Sequence, residues 1–277
     1  MNYTADFLLS GRANFRLYCV EALGNTRLKS EFAIETMNDF VSLWDGGPVF
    51  RQSEHFKLGT DSVLLADFVN IGSRRRGLDL GCGSGILSLL LLSRGARFCM
   101  TGLEINPDAA EAARANLTAN ELSERGSVVV GDIRRVKELF RSGEFDLVVA
   151  NPPYFAEGSG RQSPDDAKAA ARTETNCTLD DVCRAAAYLC RTGGAFCLVH
   201  RAERLCDVLC ALREHGLEPK RLRTVSHDAK KAPSLVLIEA RRGGAAGLTL
   251  MPPLFVRNAD GTETEEILRI YHREGTP

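Results

Sequence analysis

From Gly77 onward the chain alternates between short apolar runs and stretches with helical period, and no other feature limits its fold so sharply. Strand-like runs fall at 77–80, 98–104, 127–131, 145–150, 194–200, 219–226 and 234–240. Helical patterns lie between them at 85–94, 107–120, 133–141, 179–191 and 202–215. Apolar runs without polar alternation suit strands covered on both faces, and parallel neighbours need crossovers of helix length. The alternation predicts an α/β domain, a seven-stranded, doubly wound and mostly parallel sheet flanked by helices. Upstream, residues 56–69 read as a turn and a helix capped by Thr60 or Asp61, with Val63, Leu64, Ala66 and Phe68 on its apolar side. The tail from Leu248 carries Pro252-Pro253, a tight turn at Asp260-Gly261 and a short helix at 263–272.

Ligands of such sheets bind beyond the carboxyl ends of the strands. Leu78-Asp79-Leu80-Gly81-Cys82-Gly83-Ser84-Gly85 joins the first strand to the first crossover helix, and its glycines let the backbone turn tightly beside free helix N–H groups. By itself this loop also suits a dinucleotide fold. Glu104 ends the second strand, where a carboxylate can accept both hydroxyls of a ribose or be a plain surface acid. Asp132, in Gly131-Asp132-Ile133, ends the third strand, and reads either as an adenine contact or as an N-cap for 133–141. The fourth strand runs from Asp146 to Ala150 and stops at Asn151-Pro152-Pro153-Tyr154-Phe155. Two prolines fix φ and end the ladder, so an amide, a stiff bend and an aromatic ring are presented together at a strand end.

The formal net charge of −1 offers no global field for nucleic acid, so any such binding rests on local patches. Lys220, Arg221 and Arg223 in the sixth strand form one, which is either a phosphate track or a solvated hairpin. Arg74-Arg75-Arg76 read as a solvated edge. Nine cysteines form no CxxC pair, which points to reduced thiols in a cytoplasmic chain and to no metal site. No apolar run approaches the roughly 18 residues of a membrane span. Residues 1–36 show no clear period and Met37 looks like a natural start. The expected organisation is an N-terminal extension over 1–36, weakly ordered or a start-site artefact, and one folded domain over 37–277. The stretch 155–177 is expected to be a substrate-gating loop or simply a disordered connection.

Taken together, the strand ends resemble the S-adenosylmethionine (SAM) methyltransferases of class I, whose fold is Rossmann-like. The Asp79–Gly85 loop with Asn151-Pro152-Pro153-Tyr154 resembles their amino-group class. That resemblance implies a SAM cofactor held by Thr60, Asp79, Gly81, Cys82, Gly83, Gly85, Glu104, Asp132, Ile133 and Asn151. It also implies catalysis at Asn151, Pro152 and Tyr154. An exocyclic amine has its lone pair delocalised into a π system. Two acceptors, the Asn151 side-chain oxygen and the Pro152 carbonyl, can take its N–H groups and favour a pyramidal nitrogen. Tyr154 can stack on a planar substrate, and Pro153 stiffens the arrangement.

Within that class the chain resembles the family that methylates adenine N6 at position 37, beside the anticodon, of a valine tRNA. The match rests on Phe56-Lys57-Leu58-Gly59-Thr60-Asp61-Ser62, Ala171-Arg172-Thr173-Glu174, His200-Arg201-Ala202-Glu203-Arg204 and Pro252-Pro253-Leu254. The resemblance implies a tRNA partner, with Lys220, Arg221 and Arg223 as candidate contacts beside the Asn151–Tyr154 segment. A protein glutamine-N5 or guanine-N2 methyltransferase uses the same scaffold and stays open. So does a non-catalytic module that binds cofactor and RNA.

Overall fold

The structure is a computed structural model that describes residues 40–51, 59–152 and 177–274. Pro153, Tyr154, residues 1–36, the Phe56–Leu58 part of the upstream turn and Ala171–Glu174 lie outside the described residues.

A short antiparallel hairpin, β1 (Val41–Ser42) and β2 (Val49–Phe50), precedes helix α1 (Thr60–Phe68). Alternation then begins with β3 (Arg76–Leu80), α2 (Ile86–Arg94), β4 (Cys99–Glu104), α3 (Pro107–Ala119) and β5 (Gly126–Val130). A 3-10 turn (Ile133–Arg135) runs into α4 (Val136–Leu139), followed by β6 (Phe145–Ala150). The second half comprises α5 (Leu179–Leu189), β7 (Cys190–Arg201), α6 (Leu205–Glu214), β8 (Leu217–Ser226) and β9 (Leu235–Arg242). The tail adds β10 (Thr249–Leu250), β11 (Leu254–Phe255) and α7 (Glu265–Ile270).

The strand order is β10-β8-β9-β7-β6-β3-β4-β5, with β11 also pairing β8. All pairs are parallel except those of β9, which runs antiparallel to β7 and β8. The expected seven strands are therefore present, and the two-residue strands β10 and β11 extend the β8 edge. Their shortness hides them from a periodicity argument. Leu147 and Val149 face one apolar layer with Leu64, Leu89 and Ile267, while Val148 and Ala150 face the other with Val182 and Leu212. Alternate residues of one strand thus sit in two cores, which is why the strand reads as a continuous apolar run.

Three boundaries differ from expectation. Gly59 occupies the N-cap of α1 without a side-chain cap, and Thr60 is the first helical residue. The helix expected over 133–141 breaks into a 3-10 turn and one turn of α4, because Phe140 leaves the helical region. β7 begins at Cys190, four residues before the expected strand at 194–200, and carries Gly193 at φ +74 next to its register shift against β6.

Candidate active site

The chain leaves β3 for β4 and β5 on one side and returns to β6 on the other. The reversal between β3 and β6 is the topological switch point, where a crevice opens outside the carboxyl ends. Leu80 pairs with both Leu103 and Ala150, and Glu104 pairs with Val130. Gly81 and Asn151 therefore leave neighbouring strands side by side, and Glu104 follows one strand further on, each step about 5 Å.

Gly81, Gly83 and Gly85 have φ of +72, +54 and +81. Three left-handed residues at alternate positions explain the Gly-x-Gly-x-Gly spacing, since any side chain there is strained. A Cβ on Gly81 would touch only Ile133, at 3.8 Å, so the backbone lies open at the crevice with Ile133 on its flank. Cys82 points inward against Gly102, where a Cβ would come within 2.5 Å of its sulfur. Burial pushes its thiol well above the usual range, so Cys82 packs and does not act as a nucleophile.

Glu104 is 4% exposed and braces this loop: Gly83 N–H donates to Oε2 at 2.8 Å, and Asn106 N–H donates to Oε1 at 2.9 Å. Asp79, one residue before the strand ends, accepts from Ser88 Oγ at 2.8 Å. Its burial pushes its pKa up to about 7, against the lowering effect of the Ser88 hydrogen bonds. Asp132 caps the 3-10 turn through Arg134 N–H, at 2.8 Å, and chelates the Arg134 guanidinium, which holds its carboxyl below the usual range. The N-cap reading of Asp132 is thus realised.

Asn151 is joined to α1. Its Nδ2 donates to Ser62 Oγ at 2.9 Å, and Ser62 is buried in the first turn of that helix. Thr60, one turn edge away, bonds the hydroxyl of Tyr271 just after α7. Burial pushes the Tyr271 hydroxyl up to about 12. Pro152 is buried beside Asn151.

Two braces emerge only in the folded chain. Ser62 sits within a noted motif but carries no signal of its own. Asn116 of α3 is 1% exposed; its Nδ2 donates to Ser84 O at 2.9 Å and Arg51 O at 3.0 Å, and its Oδ1 accepts from Arg51 N–H at 2.8 Å. Asn120 pairs both backbone groups of Val49 in the same way, at 2.8 and 2.7 Å. Two asparagines one turn apart thus hold an extended segment against the glycine loop. A polar pair inside an apolar helix face was the available clue.

Lys220, Arg221 and Arg223 are not brought to this crevice. They lie on β8, three strands from β6, or about 14 Å. Arg221 pairs the buried Glu239 at 2.9 Å and stacks over Phe68, its carbon 4.5 Å from the ring centroid. Arg223 forms a fork with Glu266 at 2.8 and 2.7 Å, and Lys220 donates to Ala245 O at 3.0 Å. Among the described residues, no group of histidines, cysteines and carboxylates could hold a metal ion, and no helix is long and apolar enough to cross a membrane.

A left-handed glycine cradle, a buried strand-end carboxylate and an amide at the switch point, on this strand order, define a Rossmann-like class I methyltransferase that uses SAM. The chain belongs to the methyltransferase small domain family, whose profile matches residues 49–212. Among curated relatives, the tRNA1(Val) (adenine(37)-N6)-methyltransferase of Porphyromonas gingivalis is 32% identical over 77% of this chain and 86% of its own length. The protein of the same name from Aeromonas hydrophila is 29% identical over 77% and 88%. The crystal structure of a "predicted O-methyltransferase" from Agrobacterium tumefaciens superposes with a TM-score of 0.62 at 21% identity, covering 77% of this chain and 96% of that one. A [4+2]-cyclase, SpnF, reaches 0.50 at 15% identity over 73% and 91%. A fold shared with a cyclase does not select the reaction, so the site must.

Proposed function

We propose that the chain transfers a methyl group from SAM to the N6 amino group of adenosine 37 in a valine tRNA, in the cytoplasm. The observation that carries the reading is Asn151, held at the switch point with its amide nitrogen donated to Ser62 Oγ at 2.9 Å. In this reading Oδ1 of the same amide is one acceptor for the substrate amino group and the Pro152 carbonyl is the second. Together they take the substrate N–H groups and turn the nitrogen lone pair toward the methyl donor. No general base is needed, because the proton on nitrogen is lost to water after transfer.

When bound, the cofactor supplies an electrophilic methyl on a sulfonium that departs as a neutral thioether. The residues present fit it: the open backbone at Gly81 can lie against its amino-acid end, while Gly83 and Gly85 are buried and shape the turn, Gly85 close against Ala113. Asp79 near the end of β3 and Thr60 at the start of α1 complete the proposed cofactor contacts. Glu104 still has acceptor capacity beyond its two backbone bonds, since a carboxylate offers about four lone-pair sites, and so can take ribose hydroxyls. Asp132 and Ile133 flank the adenine side. Pro153 and Tyr154 keep the roles of stiffening and stacking. The relatives' names support adenine in tRNA as the acceptor.

The test is transfer of labelled methyl to total tRNA, total protein and ribosomal RNA, followed by nucleoside analysis. N6-methyladenosine at position 37 is the expected product. Label in protein glutamine or in guanine N2 would redirect the reading to those acceptors, and absence of transfer with intact cofactor binding would make the chain a non-catalytic module.

A further inference from the structure

The strand-end chemistry occupies one edge of the sheet, yet a cluster of arginines lies on the other. Arg74, Arg75 and Arg76 lead into β3, Arg97 precedes β4, Arg191 opens β7 and Arg241 closes the antiparallel β9. All six therefore sit at the amino edge of the parallel strands. Among the described residues three carboxylates meet them: Glu144 pairs Arg76, Asp146 pairs Arg191, and Glu239 serves Arg241 at 2.7 Å and Arg74 at 3.8 Å. Glu239 is also held by Arg221, so its charge is already shared. Burial and the neighbouring Arg241 push Arg74 below its ordinary range, as crowding of cations requires.

Arg75 and Arg97 are exposed, and neither guanidinium has a carboxylate partner among the described residues. They flank a hollow of about 480 Å³ between the loop Ile71–Arg75 and the loop Gly95–Phe98, with Ser73 and Arg74 in its lining. In a chain of net charge −1 such a cluster is a local field, not a by-product of a basic protein. Unpaired guanidiniums with planar, forked donors match phosphate oxygens better than any neutral partner.

We propose that this amino edge, centred on the hollow between Arg75 and Arg97, is a second RNA-docking surface that grips backbone phosphates of the tRNA away from the methylated base. The inference rests on the tRNA reading above. From Arg75 to Gly81 the strand spans about 20 Å, so a mononucleoside cannot touch both edges and a folded RNA can. Phosphate contacts fix register and orientation without reading sequence, which is the task left when one base is turned into the crevice.

The experiment compares the wild-type chain with the double reversal Arg75→Glu, Arg97→Glu and the milder Arg75→Gln, Arg97→Gln. An unmodified valine tRNA transcript is the probe, with its Kd followed against salt. Reversal is expected to weaken the Kd at least ten-fold and to make the slope of log K against log salt shallower by about one to two. Each phosphate contact contributes roughly 0.7–0.9 to that slope. The glutamine pair should show a smaller loss in the same direction, with the affinity for SAM and the thermal midpoint unchanged in both. If the wild type methylates tRNA while both variants keep its affinity and salt slope, the docking surface is wrong and the function stands. If the wild type neither binds nor methylates any tRNA, the functional reading falls and the inference falls with it.

Discussion

Asn151 and Ser62 are 89 residues apart in sequence, and a 2.9 Å hydrogen bond from Nδ2 to Oγ joins them. The bond ties the end of β6 to a helix that precedes the whole sheet. Ser62→Ala leaves a partly buried amide N–H without that partner, a loss of ~1–3 kcal/mol shared between stability and orientation. Turnover should fall about ten-fold with cofactor affinity unchanged. Asn151→Ala should lower it by orders of magnitude, again with cofactor affinity retained. Single-turnover methylation of a tRNA transcript beside calorimetry of SAM binding measures both. Near wild-type transfer by Asn151→Ala would remove the amide from the mechanism.

Glu104 holds the backbone of Gly83 and Asn106, so its carboxylate has a structural task as well as the proposed ribose contact. Glu104→Ala should weaken SAM binding roughly ten- to a hundred-fold and lower stability, as hydrogen bonds to a charged group are worth ~1.5–3 kcal/mol each. Glu104→Gln keeps one acceptor and should fall between. Unchanged affinity in a folded Glu104→Ala variant would leave only the loop brace.

Asp79 gives a pH signature. Burial raises its pKa from 3.8 to about 7, so between those values the folded state holds a proton that the unfolded chain has released. Stability from this group is therefore greatest at low pH, declines as pH rises from about 4 to 7, and is level above that. The full effect is ~4 kcal/mol at one pKa unit per ~1.4 kcal/mol. Asp79→Asn should flatten this part of the profile and gain relative to wild type at pH 8. Denaturant midpoints of the cofactor-free protein from pH 4.5 to 8 decide it, and parallel profiles would show that Asp79 stays ionised throughout.

Arg223 and Glu266 lock β8 to α7 through two hydrogen bonds of 2.8 and 2.7 Å, with the Arg223 side chain only 12% exposed. Arg223→Ala should cost ~1–3 kcal/mol of stability, at the level of a partly buried charge-assisted pair. RNA affinity should change little once the variant is folded, in contrast to Arg75 and Arg97. A variant with wild-type stability and weak RNA binding would return Arg223 to the phosphate surface.

The extension yields a deletion test. A chain beginning at Met37 should keep its thermal midpoint and SAM affinity, because residues 1–36 show no period that could bury a face. A large drop in either would make the extension part of the domain.

Local pattern settled most of the architecture. Continuous apolar runs marked strands covered on both sides, and alternate glycines marked a backbone that must turn left-handed at Gly81, Gly83 and Gly85. Proline after Asn151 marked where the fourth strand had to stop. These are properties of a few neighbouring residues, so they survive in the one-dimensional order of the chain. The partners of those residues do not. Ser62 against Asn151, Asn116 against Ser84 and Arg51, and Glu104 against Gly83 are bonds across 89, 32, 65 and 21 positions, and only the packed sheet brings them within 3 Å. Charge followed the same rule in reverse. Lys220, Arg221 and Arg223 cluster in sequence, yet neighbouring strands and the tail supply their partners, while Arg75 and Arg97 lie 22 positions apart and share one hollow. Whether a charged side chain is satisfied or available depends on what packs beside it, and that is decided by tertiary structure alone.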